Sequence, residues 1–224
     1  KILRDYITDQ ELYEKIVDRY ESKKSNEDLF IMSISMQNHG GYTEKYDNFD
    51  EKARMLGINY PDVNQYLSLI HESDSALEYL ISYFEKVDAP VEIVFFGDHQ
   101  PSLSSSFYPY LNGKGLGGLT LSELENLYTV PFFIWTNYDS GKESVELTSL
   151  NYLSTLALER AGIALPAYNQ FLADMMEEIP AVNSRGFYSK SQGKFLHVED
   201  AAGEDAKWLK NYEILQYKIG RAHV

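Results

Sequence analysis

Apolar residues along this chain follow two patterns, stretches near a 3.6-residue period and short unbroken runs, and each predicts a different element. Thr8 and Glu11 have the spacing of a capping box, and Leu12, Ile16, Val17 and Tyr20 follow at helical intervals. This predicts a helix from about Asp9 to Ser22. From Pro61 to Val87 the residues Val63, Tyr66, Leu67, Ile70, Leu77, Leu80, Ile81, Phe84 and Val87 form a helical stripe, with the proline in the first-turn position where its missing N–H does no harm.

Three short runs read as strands. "DLFIMSISM" (Asp28 to Met36) is mostly apolar and too short for a buried helix, "VEIVFF" (Val91 to Phe96) is β-branched and aromatic, and "YTVPFFIWTN" (Tyr128 to Asn137) is similar. Strand, long helix and strand in that order predict a crossover between parallel neighbours. Further on, "TLSELENLY", "LTSLNYLSTLALERAGI" with Gly162 past its end, "YNQFLADMMEEIP" and "EDAKWLKNYEILQY" read as helices, and "SQGKFLHVED" as a peripheral hairpin.

Composition narrows the picture. A chain of 224 residues accommodates one sizeable domain, set at residues 1–218. The last six residues, "IGRAHV" (219–224), are what ATC GGA AGA GCA CAC GTC encodes and resemble read-through into a sequencing adapter. With Lys1 in place of an initiator methionine, the chain reads as a fragment at both ends. The 34 acidic residues outnumber the 20 basic ones for a net charge of −14, a field that repels a phosphate backbone, excludes nucleic acid as the expected partner and suits a divalent cation. The absence of cysteine removes disulfides and thiolate chemistry, and no run is long and apolar enough to span a membrane.

In an open parallel sheet, ligands bind beyond the carboxyl ends of the strands. Two polar clusters occupy that place: Gln37, Asn38 and His39 after Met36, and Asp98 and His99 after Phe96 and Gly97. A parallel crossover brings them to one edge. An aspartate beside a neutral imidazole suits Mn²⁺ or Zn²⁺, with Mg²⁺ less suited to nitrogen. The other reading is that Asp98 caps a turn and His99 packs against loop atoms; the residues alone leave both open. His71, His197, Glu143, Glu146, Glu177 and Glu178 read as surface or structural groups.

Together, "FIMSISMQNHGGY", "YLSLIHESDSALEYLISYF" and "VEIVFFGDHQPSL" resemble the C-terminal part of the sulfatase-like catalytic domain of bacterial lipoteichoic acid synthases, membrane-anchored phosphoglycerol transferases of the alkaline phosphatase superfamily. The similarity runs from about Asp28 to Gly162; the family often has proline where Gly41 stands. The resemblance implies an α/β fold, alkaline phosphatase/sulfatase-like, with a largely parallel sheet flanked by helices and truncated at its N-terminal side. It implies that Asp98 and His99 are metal ligands, for Mn²⁺ first, and that His39 binds the phosphate-bearing substrate. The family's glutamate ligand and threonine nucleophile would lie upstream of Lys1, leaving this chain weak in metal binding and inactive alone. The expected partners are a phosphatidylglycerol-like lipid and a glycerophosphate polymer acceptor, at the outer face of a bacterial cell membrane held by an upstream span. A related sulfatase or phosphodiesterase, and a non-catalytic extracellular module on the same fold, are the alternatives.

Overall fold

The structure is a computed structural model in which residues 1–221 are described; Ala222 to Val224, with His223 and the end of the "IGRAHV" tail, lie outside the described residues. Its contacts divide the chain into two compact units, Lys1–Val91 with His99–Gly117, and Glu92–Asp98 with Gly118–Val224.

The first unit opens on a hairpin of β1 (Ile2–Leu3) and β2 (Tyr6–Ile7), antiparallel with Leu3 opposite Tyr6. Helix α1 (Asp9–Glu21) follows, and Thr8 caps it by accepting a bond from the Glu11 N–H at 3.2 Å. Only the forward half of the capping box forms in this way, because the Thr8 N–H donates to the Lys1 carbonyl across the hairpin. Helix α2 (Pro61–Phe84) begins at the proline as its pattern predicts. Tyr13 and Val17 of α1 are buried, as are Ala76, Leu80 and Phe84 of α2, and Tyr20 meets the Phe84 ring edge-on at 5.1 Å between centroids. Helix α3 (Phe107–Asn112) buries Phe107, which packs edge-on against Tyr60.

The first half of α2 departs from its predicted stripe. Ile70 is exposed, while Asn64, Gln65 and Ser68 are buried. These polar side chains anchor the irregular segment that precedes the helix: Ser68 Oγ accepts from the Lys52 and Ala53 N–H groups, Asn64 Oδ1 accepts from Met55 N–H, and Gln65 Nε2 donates to the Glu44 carbonyl. A segment with no ladder of its own must find partners for its backbone groups, and α2 provides them.

The predicted strand at Asp28–Met36 is a correction. Those residues form no regular structure, and Phe30, Met32 and Ile34 are 91%, 72% and 72% exposed. A run of strand-forming residues becomes a strand only when a neighbour completes its hydrogen bonds, and no ladder reaches this one.

In the second unit, β3 (Glu92–Phe96) pairs with β4 (Phe132–Thr136) from Glu92 opposite Thr136 to Phe96 opposite Phe132, and Phe95 stacks on Phe133 at 5.2 Å. The pairing is antiparallel. The expected parallel crossover is therefore corrected too: among the described residues every strand pairing is antiparallel, in sheets of two strands. Helix α4 (Leu121–Asn126) carries a complete capping box between Thr120 and Glu123. Helices α5 (Leu153–Arg160) and α6 (Ala167–Glu178) follow as the pattern predicts, with Gly162 at φ +68 past the end of α5. The hairpin sits slightly upstream of its predicted place, as β5 (Gly186–Ser189) and β6 (Lys194–His197), and α7 (Gly203–Arg221) ends the described chain. Tyr152, Leu172, Met175, Ile179 and Phe187 form this unit's core, covered by Phe171, Trp208 and Tyr212.

Candidate functional site

The turn after Met36 is tied down on three sides within the first unit. Gln37 is buried; its Oε1 accepts from the Asp9 N–H at 3.1 Å, which places the turn at the head of α1. Its Nε2 and the Asn38 Nδ2 both donate to Ser73 Oγ of α2, at 3.1 and 2.8 Å. Ser73 in turn donates to Asp9 Oδ2 at 2.5 Å, and Tyr42 Oη donates to the Asn38 carbonyl at 2.7 Å. Burial pushes the Asp9 carboxyl up from its ordinary value of 3.8, against the opposing effect of hydrogen bonds from Ser73 and Ser35.

His39 follows on this platform with its side chain exposed. Its Nδ1 lies 3.1 Å from Tyr6 Oη, with the two rings tilted at 51° and 5.5 Å apart. Arg4 Nη2 donates to the His39 carbonyl at 2.8 Å and to the Gly40 carbonyl at 3.4 Å. Arg4 and Tyr6 are neighbours of His39 that the sequence pattern does not reveal. No local motif marks them, because their partner lies 35 residues away from Arg4 and 33 from Tyr6.

Asp98 and His99 stand in a bend directly after β3 and Gly97, both exposed. Gly97 extends the β3–β4 ladder through its N–H to the Pro131 carbonyl at 3.1 Å. A Cβ at this position would meet Val130 Cβ at 3.0 Å, so close approach is what the glycine provides there. His99 Nδ1 lies 2.9 Å from the Gln100 carbonyl. A carbonyl only accepts, so Nδ1 carries a hydrogen; in the neutral ring this is the tautomer whose Nε2 holds the lone pair, as in metal-binding imidazoles. The chain passes from the second unit to the first between Asp98 and His99. Among the described residues no three His, Asp or Glu side chains are grouped as a metal site would be. His71 and His197 are exposed on α2 and β6, and Glu143 pairs with Arg160 at 3.1 Å, in keeping with their reading as surface groups.

The Sulfatase family matches residues 3–163, starting well before the resemblance read from the motifs. "Capsular polysaccharide biosynthesis protein RkpI" of Rhizobium meliloti (strain 1021) is 34% identical over 105 residues, 47% of this chain and 18% of the relative. "Putative cyclic beta-1,2-glucan modification protein" of the same organism is 22% identical over 217 residues, 93% of this chain and 32% of the relative. The chain thus spans about a third or less of the length of these curated relatives. Among solved structures, "Streptococcus pyogenes phosphoglycerol transferase GacH in complex with sn-glycerol-1-phosphate" superposes with a TM-score of 0.59 at 21% identity, over 80% of this chain and 44% of that one. That likeness establishes a shared α/β fold. Among the described residues no helix is long and apolar enough to cross a membrane.

Proposed function

Because the chain belongs to the sulfatase family, we propose that it is part of a metal-dependent phosphoglycerol transferase that moves glycerophosphate from a phosphatidylglycerol-like lipid to a polymer of the bacterial cell envelope. The observation that carries this reading is the adjacency of Asp98 and His99 in the bend after β3, inside the matched region, with His99 Nδ1 bonded to the Gln100 carbonyl so that Nε2 of the neutral ring is the atom available to a metal. The fold shared with a phosphoglycerol transferase solved with sn-glycerol-1-phosphate supports the substrate class. The names of the two rhizobial relatives favour an envelope glycan as acceptor, with lipoteichoic acid as the other candidate.

Asp98 Oδ and His99 Nε2 would hold the divalent cation, Mn²⁺ ahead of Mg²⁺ or Zn²⁺. When bound, such an ion lowers the pKa of an attacking hydroxyl and offsets charge on phosphoryl oxygens. The remaining ligands and the nucleophile, a threonine in this reading, are assigned to residues outside this chain. In this reading the exposed His39 is a hydrogen-bond donor to the phosphoryl oxygens or the proton donor to a leaving oxygen. The transfer is ping-pong: the threonine oxygen loses its proton and bonds to phosphorus as the diacylglycerol oxygen leaves with a proton, and the acceptor oxygen then loses its proton and bonds to phosphorus as the threonine oxygen leaves and is reprotonated.

The test is transfer of labelled glycerophosphate from phosphatidylglycerol by the full protein that contains this chain. Activity that depends on added Mn²⁺ and falls at least 100-fold in Asp98→Ala, His99→Ala and His39→Ala is expected, on the scale of lost catalytic groups. Full activity in the presence of a chelator, or release of the group only to water, would sink the reading.

A further inference from the structure

The opening hairpin reverses at Arg4, which has a φ of +54, the one positive φ outside glycine among the described residues. At the first central position of such a tight hairpin turn, glycine is the usual residue, and an arginine with this backbone carries strain. Strain of this kind persists where the surroundings hold it, and here the side chain is held. Arg4 is only 3% exposed, and its guanidinium lies under the rings of Tyr6, Tyr42 and Tyr46 at 5.5–5.7 Å. Its charge is met by those ring faces and by the His39 and Gly40 carbonyls, while Nε and Nη1 are buried without hydrogen bonds.

An arginine enclosed in this way cannot reach a ligand directly, but it fixes the backbone of the residue that can. Two residues beyond it, Tyr6 fixes the ring: its Oη stands 3.1 Å from His39 Nδ1. We infer that Arg4 and Tyr6 are positioning residues for His39, Arg4 through the His39–Gly40 carbonyls and Tyr6 through a hydrogen bond donated to Nδ1. With Nδ1 accepting, the ring hydrogen sits on Nε2, which makes that atom a donor for a phosphate oxygen. The inference rests on the substrate-binding role proposed for His39, and it explains why a strained arginine and a tyrosine occupy so short a hairpin.

The test reads the ring nitrogens of His39 by ¹⁵N NMR in this chain, assigned through His39→Ala, before and after addition of sn-glycerol-1-phosphate. Wild-type Nδ1 is expected to be unprotonated and hydrogen-bonded, with Nε2 carrying the hydrogen. Tyr6→Phe keeps the aromatic contact and removes the hydroxyl, so the Nδ1 signal moves to its unbonded position. Affinity for sn-glycerol-1-phosphate drops about 5- to 10-fold, the scale of one lost hydrogen bond. Arg4→Gly suits the hairpin turn and removes the guanidinium; it keeps the circular dichroism spectrum and shows the same loss. A protonated Nδ1 in the wild type, or a signal that Tyr6→Phe leaves in place, overturns the inference. An Nδ1 signal that Tyr6→Phe does move, together with wild-type affinity in His39→Ala, overturns instead the role proposed for His39 itself. The two failures are thus told apart.

Discussion

Ser73 donates its hydroxyl to Asp9 Oδ2 at 2.5 Å, and this one bond joins the middle of α2 to the first residue of α1. The same oxygen accepts from Gln37 Nε2 and Asn38 Nδ2, so the donor and both acceptor positions of the serine are in use. Ser73→Ala removes one partner from each of three groups, of which Gln37 Nε2 keeps longer contacts to Asn38 Oδ1 and the Leu69 carbonyl and Asp9 keeps a hydrogen bond from Ser35. The expected loss is about 1–2 kcal/mol, the scale of a net hydrogen bond and a partly satisfied polar group. Urea denaturation measures it, and Ser73→Thr, which keeps the hydroxyl, should recover most of it.

Asp9 makes stability depend on pH. Its carboxyl is held above the ordinary 3.8 by burial, so the folded state binds the proton more tightly than the unfolded chain does. The stability this contributes is fully present below 3.8 and is lost as pH rises through the folded-state value. Asp9→Asn has no such proton to lose, so its stability relative to the wild type should grow as pH is raised from 3 to 7. Denaturation midpoints at several pH values measure the difference, and a gap that stays constant or shrinks contradicts the assignment.

Gly186 faces the Leu196 carbonyl across the β5–β6 hairpin, and an added Cβ would come within 2.7 Å of that oxygen. The obstacle is backbone, so it cannot swing aside. Gly186→Ala should lower stability by about 1–3 kcal/mol, as overpacking does. Gly117→Ala, where a Cβ meets nothing within 4 Å, serves as the control and should change thermal stability little.

Phe30, Met32 and Ile34 alternate along an exposed, unpaired stretch. Apolar side chains beside free backbone groups invite association. Replacing the three with Ser, Thr and Lys should reduce binding of a hydrophobic dye and concentration-dependent light scattering, with no loss of melting temperature. A drop of several degrees would show instead that the stretch contributes to the folded core.

The elements with strong local signals were legible in the sequence. Pro61 opening α2, the Thr120–Glu123 box opening α4 and the left-handed Gly162 after α5 are each decided within a few residues, by capping and backbone preference. The face that α2 buries was less legible, because the needs of the loop backbone at 44–55 drew Asn64, Gln65 and Ser68 inward. Asp98, His99 and His39 stood out from the sequence because short polar turns after apolar runs are visible in any reading frame of patterns.

The sequence by itself determined where α1 and α2 begin, that strand-forming residues lie at 28–36, 91–96 and 128–137, and that polar turns carrying His39, Asp98 and His99 follow the first two of those runs. Only the tertiary structure decided that β3 pairs antiparallel with β4, that 28–36 forms no strand, and that Arg4 and Tyr6 stand against His39. The physical reason is the range of the interactions. Capping and helix periodicity act over three or four residues, whereas a strand needs a partner, and a positioned histidine needs neighbours, that the chain supplies from tens of residues away.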